Sequence, residues 1–448
     1  MTTPPATSWV CAWAWLGGES VARDVVITAE DGIITAVEPQ GTAPEGATRL
    51  EGLVLPGFAN VHSHAFHRAL RGRTERAVGS FWSWREAMYE LAGRLSPDNY
   101  RDLATAAFAE MVCAGFTTVG EFHYLHHDTD GTEYADANEM SVALLDAARA
   151  AGIRITLLDA CYLEAAPGHP PHGVQRRFCD ASVERWASRV DDLAVAPEHA
   201  RAGAAVHSVR AVPPEAIEVV AGWAEAHAAV LHAHVSEQPR ENDECLAAYG
   251  STPTGLLARA GALSRRFTAV HATHLVGEDR WHLGDAGATA CVCPTTERNL
   301  ADGLCELTEL AGAGVALCVG TDCHATIDPF EELRCLEGHE RLRTTTRGAL
   351  TPSLLLEAGT APGHRALGWP GVGRLEVGAA CDLVCVATTS VRLAGADVED
   401  LLAAAVAGAT AADVSTVVIG GRLVASGGQH ASIDVPTALE RAVHAVWT

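Results

Sequence analysis

Leu53 to Arg68, LVLPGFANVHSHAFHR, decides how the chain is read. An apolar run, Leu53-Val54-Leu55, passes through Pro56-Gly57 into a second short apolar segment, Phe58-Ala59-Asn60-Val61, and ends on His62-Ser63-His64. Side chains two apart on an extended strand point the same way. His62 and His64 therefore present two imidazoles to one point, as a divalent metal requires of neutral nitrogen ligands. With 21 His in 448 residues, one HxH pair decides little alone. The polar residues that close the later strands decide more.

Downstream, apolar strand-like runs alternate with Ala-rich amphipathic stretches, the mark of βα units and a parallel sheet. Eight candidate strands fall at 53–62, 117–123, 153–161, 203–207, 229–235, 267–271, 288–293 and 315–321. Helical stretches at 98–113, 139–151, 180–193 and 213–227 fit between them. Several strands are apolar on both faces, as strands covered by helices should be. The pattern predicts an α/β fold, a (β/α)8 TIM barrel. A doubly wound sheet would need a Gly-rich phosphate turn, and no GxGxxG follows a first strand.

The two ends read differently. Residues 25–39 hold two β-rich runs around Asp31-Gly32, a hairpin signal. The opening MTTPPATSWVCAWAWLGG has no basic n-region and reads as a first strand rather than a signal peptide. From 371 the chain returns to hairpin-like β in GRLEVGAACDLVCVA and in VSTVVIGGRLVASGG, which turns at Gly420-Gly421. The expected division is a small β-sandwich from 1–56 and 371–448, flanking a catalytic barrel at 57–370.

A net charge of −24 argues against nucleic acid or an anionic membrane as partner. No apolar run approaches the length of a membrane span. The 13 Cys are scattered, many inside apolar runs, as reduced thiols of a cytoplasmic protein are. Cys291-Val292-Cys293 lacks the second thiolate pair of a zinc knuckle. All 32 basic residues are Arg. The absence of Lys excludes a Schiff-base lysine, a P-loop lysine and a carbamylated-lysine metal bridge.

Catalytic groups of barrels come from the C-terminal ends of strands. Those ends carry His62 and His64 on the first strand, Glu121, His123 and Tyr124 on the second, and His207 and Arg210 on the fourth. The fifth carries His234 and Glu237, the sixth His271 and the eighth Asp322. Burying so many polar groups costs a few kcal/mol each unless they are paired or metal-bound. His62, His64, His234 and Asp322 make a shell for one divalent ion with a place left for water, which such an ion activates at neutral pH. Glu237, three residues past His234, can reach a leaving group without ligating. His271 is free to act with Asp322 on the water's protons.

HSHAFHRA, FWSWREAMY, EFHYLHH, HSVRAVP, HAHVSEQ, HATHL, CPTTERNLADG and GTDCH occur in that order. Together they resemble the amidohydrolase superfamily and, more narrowly, its formimidoylglutamate deiminase family, over about residues 50 to 340. HxH, HxxE, His and Asp are shared across the superfamily, whereas FWSWRE, EFHYLHH and HSVRAVP are more specific. The resemblance implies one divalent metal ion, Zn2+ with Fe2+ as the second choice, on His62, His64, His234 and Asp322. Glu237, His271 and Asp322 would be the catalytic proton-transfer groups. Arg85, Tyr124, His207 and Arg210 would contact substrate. One departure stands out: where the family has Gln in HAFQRA, this chain has His67, which donates a hydrogen bond but can also ionise.

The activity so implied is metal-dependent hydrolytic deimination of N-formimino-L-glutamate to N-formyl-L-glutamate and ammonia, a step of histidine degradation, in a cytoplasmic homodimer. The chemistry agrees: an acidic protein that holds a dianionic amidine needs local cations, and Arg offers planar bidentate donors. Trp82 and Trp84, beside Arg85, read as loop packing. The competing readings are a deaminase of cyclic amidines, purine or pterin in type, and a non-catalytic barrel scaffold. The first needs aromatic or amide groups around a ring, and the second predicts lost ligands.

Overall fold

A computed structural model describes residues 7–76 and 79–448. The first six residues of the opening segment read as a strand lie outside the described residues; its remainder forms β1 (Thr7–Ala14). The other strands are β2 (Ala22–Glu30), β3 (Ile33–Pro39), β4 (Thr48–Pro56), β5 (Phe58–Ser63), β6 (Phe116–His123), β7 (Arg154–Cys161) and β8 (Ala200–Val206). They continue with β9 (Leu231–Val235), β10 (Phe267–His271), β11 (Thr289–Val292), β12 (Ala316–Val319), β13 (Leu383–Val386), β14 (Val414–Ile419), β15 (Arg422–Ser426) and β16 (Gln429–His430).

Strands β5 to β12 form one parallel sheet in chain order. Its two edges meet where Asp322 N donates to His62 O at 3.0 Å and His64 N donates to Asp322 O at 3.3 Å. The fold is a (β/α)8 barrel, and its seam is sewn by three of the residues expected to hold metal. Gly320 permits that closeness: a Cβ there would stand 2.8 Å from His62 backbone and Cβ atoms. Residues 58–63 and 116–123 are buried throughout, because helices cover one face and the barrel interior the other.

The first barrel strand is shorter than the expected 53–62. Leu53 to Pro56 belong to β4, in the other sheet, and the barrel strand begins only at Phe58. The break has a steric cause. Pro56 has no N–H for a ladder, and a Cβ on Gly57 would lie 2.2 Å from Thr117 Oγ1.

Strands from both ends pair as β16-β15-β14-β13-β4-β1-β2-β3, with β1 and β4 parallel. This is a single mixed sheet folded over a shared core, in which Cys11, Val25, Ile27 and Ile34 pack with Leu383, Cys385 and Val418. Its hairpin turns meet: Cys381 N donates to Gly32 O and Gly421 N to Cys381 O, both at 2.8 Å. GRLEVG (373–378) is a turn and not a strand. Gly373 and Gly378 take φ of 87° and 91°, and Val377 is 65% exposed. Among the described residues no helix is long and apolar enough to cross a membrane.

Below the ends of β6 and β7 lies a wholly buried ion network. Arg189, on the helix Val183–Asp191, binds both oxygens of Asp159 at 2.8 Å and both of Asp180 at 2.8 and 3.0 Å. His123 turns into this network, beside His126, rather than toward the cleft at the barrel mouth. Arg189→Met keeps an unbranched apolar stem but leaves two buried carboxylates uncompensated. Stability should fall by about 3–5 kcal/mol. Urea unfolding should show it as a lower midpoint, and an unchanged midpoint would deny the network that role.

Candidate active site

The sheet gathers the expected metal ligands at one point. His62 Nε2 lies 3.1 Å from His234 Nε2, and both His62 Nε2 and His64 Nε2 lie 3.5 Å from Asp322 Oδ1. Tetrahedral donors about 2.0–2.1 Å from an ion stand about 3.4 Å apart. The second ring nitrogens fix the tautomers: His64 Nδ1 donates to Phe122 O at 2.8 Å and His234 Nδ1 to His207 O at 2.7 Å. Burial, reinforced by the neighbouring imidazoles, holds all three His pKa values well below the usual range. Neutral rings with Nε2 lone pairs turned inward, and a carboxylate beside them, suit a divalent metal ion.

Backbone strain collects here. Ser236, His271, Ala272, Asp322 and His324 have φ between 42° and 68°. A non-glycine residue in that region costs on the order of 1–3 kcal/mol. The strands thus end in sharp left-handed turns that swing their last side chains over the barrel mouth.

His271 stands among carboxylates. Its Nε2 is 3.7 Å from Glu237 Oε1 and 3.8 Å from Asp322 Oδ2, and its Nδ1 is 3.5 Å from Glu297 Oε1. Burial disfavours the imidazolium, yet Glu237, Glu297 and Asp322 outweigh it and push the pKa up to about 10. Burial also raises the Glu237 carboxyl, against the pull of His271 and Arg210. A divalent charge in the shell acts in the opposite sense on both groups. The pair can therefore hold and pass a proton within one small volume.

Ten of the eleven residues expected at the site line a single cleft: His64, His67, Arg85, Tyr124, His207, Arg210, His234, Glu237, His271 and Asp322. The eleventh, His62, lies fully buried against them. Arg85 projects from a helix, Phe81–Ala92, and not from a loop. Its guanidinium sits 5.6 Å from the Trp82 ring and 5.0 Å from Tyr89, so Trp82 supports the cation. Trp84 meets His67 edge-on at 5.0 Å. Arg210 Nε has no hydrogen-bond partner among the described residues. His67 Nε2 is 3.1 Å from Tyr124 Oη, and burial keeps its pKa well below the usual value. The ring in place of Gln is thus a neutral hydrogen-bonding group.

Of three buried carboxylates near the site, Glu297 and Glu241 are not singled out by the sequence, and Glu121 is placed by it at a strand end without a role. Glu297 follows β11 on the helix Pro294–Leu300, accepting from Cys293 N at 2.8 Å while facing His271. The clue was available: β11 was one of two strands with no polar group assigned to its end, and Glu297 is the first carboxylate after it. Glu121 accepts from Ser63 Oγ at 2.6 Å and Ala65 N at 2.7 Å, bracing the His62-His64 turn. Its burial pushes the carboxyl up to about 8. Glu241 lines the cleft beside Glu237, whose backbone N–H it accepts at 3.3 Å.

A match of residues 53–424 to the amidohydrolase family model places this chain, with its barrel, in the amidohydrolase family. Among curated relatives, the chain is 39% identical to the formimidoylglutamate deiminase of Pseudomonas aeruginosa, over 92% of this chain and 93% of that protein. It is 29% identical to a 5-methylthioadenosine/S-adenosylhomocysteine deaminase of Pelotomaculum thermopropionicum, over 93% and 92%. An amidohydrolase crystal structure from Brucella melitensis superposes with a TM-score of 0.90 at 34% identity, covering 99% of this chain and 100% of that one.

Proposed function

We propose that this enzyme hydrolyses N-formimino-L-glutamate to N-formyl-L-glutamate and ammonia. The observation that carries the reading is the cleft itself, where Arg85 and Arg210 face the same space as the His and Asp shell. Two guanidinium groups match the two carboxylates of the substrate, and the shell matches its amidine carbon. Similarity to a named formimidoylglutamate deiminase over most of both chains supports it.

His62, His64, His234 and Asp322 would hold one divalent ion; Zn2+ suits this nitrogen and oxygen donor set, and Fe2+ accepts the same donors. When bound, the ion supplies the Lewis acidity that makes water nucleophilic at neutral pH. Asp322 Oδ2, 3.8 Å from His271 Nε2, takes the proton that water loses on adding to the amidine carbon. Glu237, reached by His271 Nε2 at 3.7 Å, delivers a proton to the departing nitrogen, and the carbon–nitrogen bond breaks to release ammonia. Arg85, Arg210, Tyr124, His207 and His67 orient the substrate. The barrel at 57–370 carries this chemistry, with 1–56 and 371–448 as the flanking unit.

All 13 Cys are free, which supports a reducing cytoplasmic setting, and a homodimer completes the proposal. Product analysis tests the reaction. Purified enzyme given N-formimino-L-glutamate should form ammonia and N-formyl-L-glutamate in equal amounts, and a strong chelator should abolish both. Free formamide or L-glutamate as the main product would point to a different bond being cut.

A further inference from the structure

Gln175 sits on the short 3-10 turn Gly173–Phe178 in the connection after β7, 2% exposed and outside the chemistry described above. Its Oε1 accepts from the backbone N–H of His172 at 3.3 Å, and from the His172 ring. A backbone N–H can only donate, so the amide orientation is settled: the other end is the NH2 group. That group donates one hydrogen to Tyr162 Oη at 2.9 Å and the other to Tyr89 Oη at 3.2 Å. Each phenol oxygen is therefore used as an acceptor, and its own hydrogen has no protein acceptor among the described residues. Both tyrosines line the cleft with Arg85 and Arg210.

We propose that Tyr89 and Tyr162 are substrate-binding residues that give their hydroxyl hydrogens to the carboxylates held by Arg85 and Arg210, and that Gln175 is the positioning residue which sets this donor polarity. This rests on the dianionic substrate proposed above. The physical logic is one of direction. A hydroxyl can serve an anion only as a donor, and a buried amide that occupies its oxygen leaves the hydrogen for the ligand. The cleft then discriminates by hydrogen bonds as well as by charge.

The test compares four variants for metal content, for kcat and KM on N-formimino-L-glutamate, and for turnover of N-butylformamidine, an amidine without carboxylates. Tyr162→Phe and Tyr89→Phe should each lower kcat/KM on the dianion about 10- to 100-fold, mostly through KM. Metal content and N-butylformamidine turnover should hold. Gln175→Glu should do at least as much damage as either tyrosine variant, because a carboxylate captures both hydroxyl hydrogens. Gln175→Leu, which frees the hydroxyls but leaves them unheld, should lose less. Equal losses on both amidines, or none, in the tyrosine variants would overturn the proposal, whether or not the Gln175 variants fold. Equal damage from Gln175→Leu and Gln175→Glu would overturn the polarity assigned to Gln175. Calorimetric binding of N-formyl-L-glutamate separates this idea from the reaction: if the wild type releases no ammonia yet Tyr162→Phe weakens that binding, the donor role stands and the proposed activity falls.

Discussion

Glu237→Gln is expected to lower kcat by roughly 10²–10⁴-fold, the usual loss for a missing general acid or base. The substitution keeps shape and hydrogen-bonding capacity but removes the exchangeable proton. Glu237 lies 3.7 Å from His271 Nε2, and its own backbone N–H is anchored on Glu241 Oε2 at 3.3 Å, so the backbone has no reason to move. It is not one of the four residues proposed to hold the metal. The purified variant should thus carry the same metal complement as the wild type, and KM should change little. Full activity in Glu237→Gln would mean that the departing nitrogen takes its proton from elsewhere, with His271 the nearest alternative.

The second large effect concerns recognition. Arg210→Met should weaken transition-state binding by roughly 2–5 kcal/mol, because a desolvated carboxylate is left without its partner. In kinetic terms, kcat/KM for N-formimino-L-glutamate should fall on the order of 10²–10³ or more. Arg210 reaches the cleft from just past β8, and its Nε has no competing partner among the described residues to soften the loss. Metal content should be unchanged, and an amidine without carboxylates should scarcely notice the change. Arg210→Lys should rescue only in part, since a point charge lacks the planar fork. Equal losses on both kinds of amidine would make Arg210 a structural residue.

The parts of this site that the sequence revealed are those carried by strand periodicity. His62 and His64 were legible because a two-residue period aims both rings one way, and His234 and Asp322 because a barrel puts chemistry at strand ends. The first strand was read five residues too early, since Leu53-Val54-Leu55 is as apolar as a barrel strand. Only the crowding of Gly57 against Thr117 shows why the chain must change sheets there. GRLEVG has the alternation of a strand, but two glycines at positive φ bend it.

Other features lie beyond pattern. Glu297 reaches His271 through the first turn of a helix, so its position after β11 could mark it as a strand-end group but not name His271 as its partner. Gln175 is one polar residue in a turn until the fold brings Tyr89 and Tyr162 to it from 86 and 13 residues away. The C-terminal helix Val435–Trp447 went unread as well, although Trp447 Nε1 bonds Ala69 O at 2.9 Å, close to His67. Long-range partners of this kind are set by topology rather than by local composition.

The central claim is that one cleft joins a hydrolytic metal shell to a site for a dicarboxylate. Its most direct test is ammonia release by the wild-type enzyme, as kcat/KM, from N-formimino-L-glutamate, N-butylformamidine and adenosine measured side by side. Two guanidinium contacts predict a preference for N-formimino-L-glutamate of at least about 10²-fold over the amidine lacking carboxylates. Adenosine should give no measurable release. A faster reaction with adenosine, or equal rates on the two linear amidines, would contradict the account and return the cyclic-amidine reading to first place.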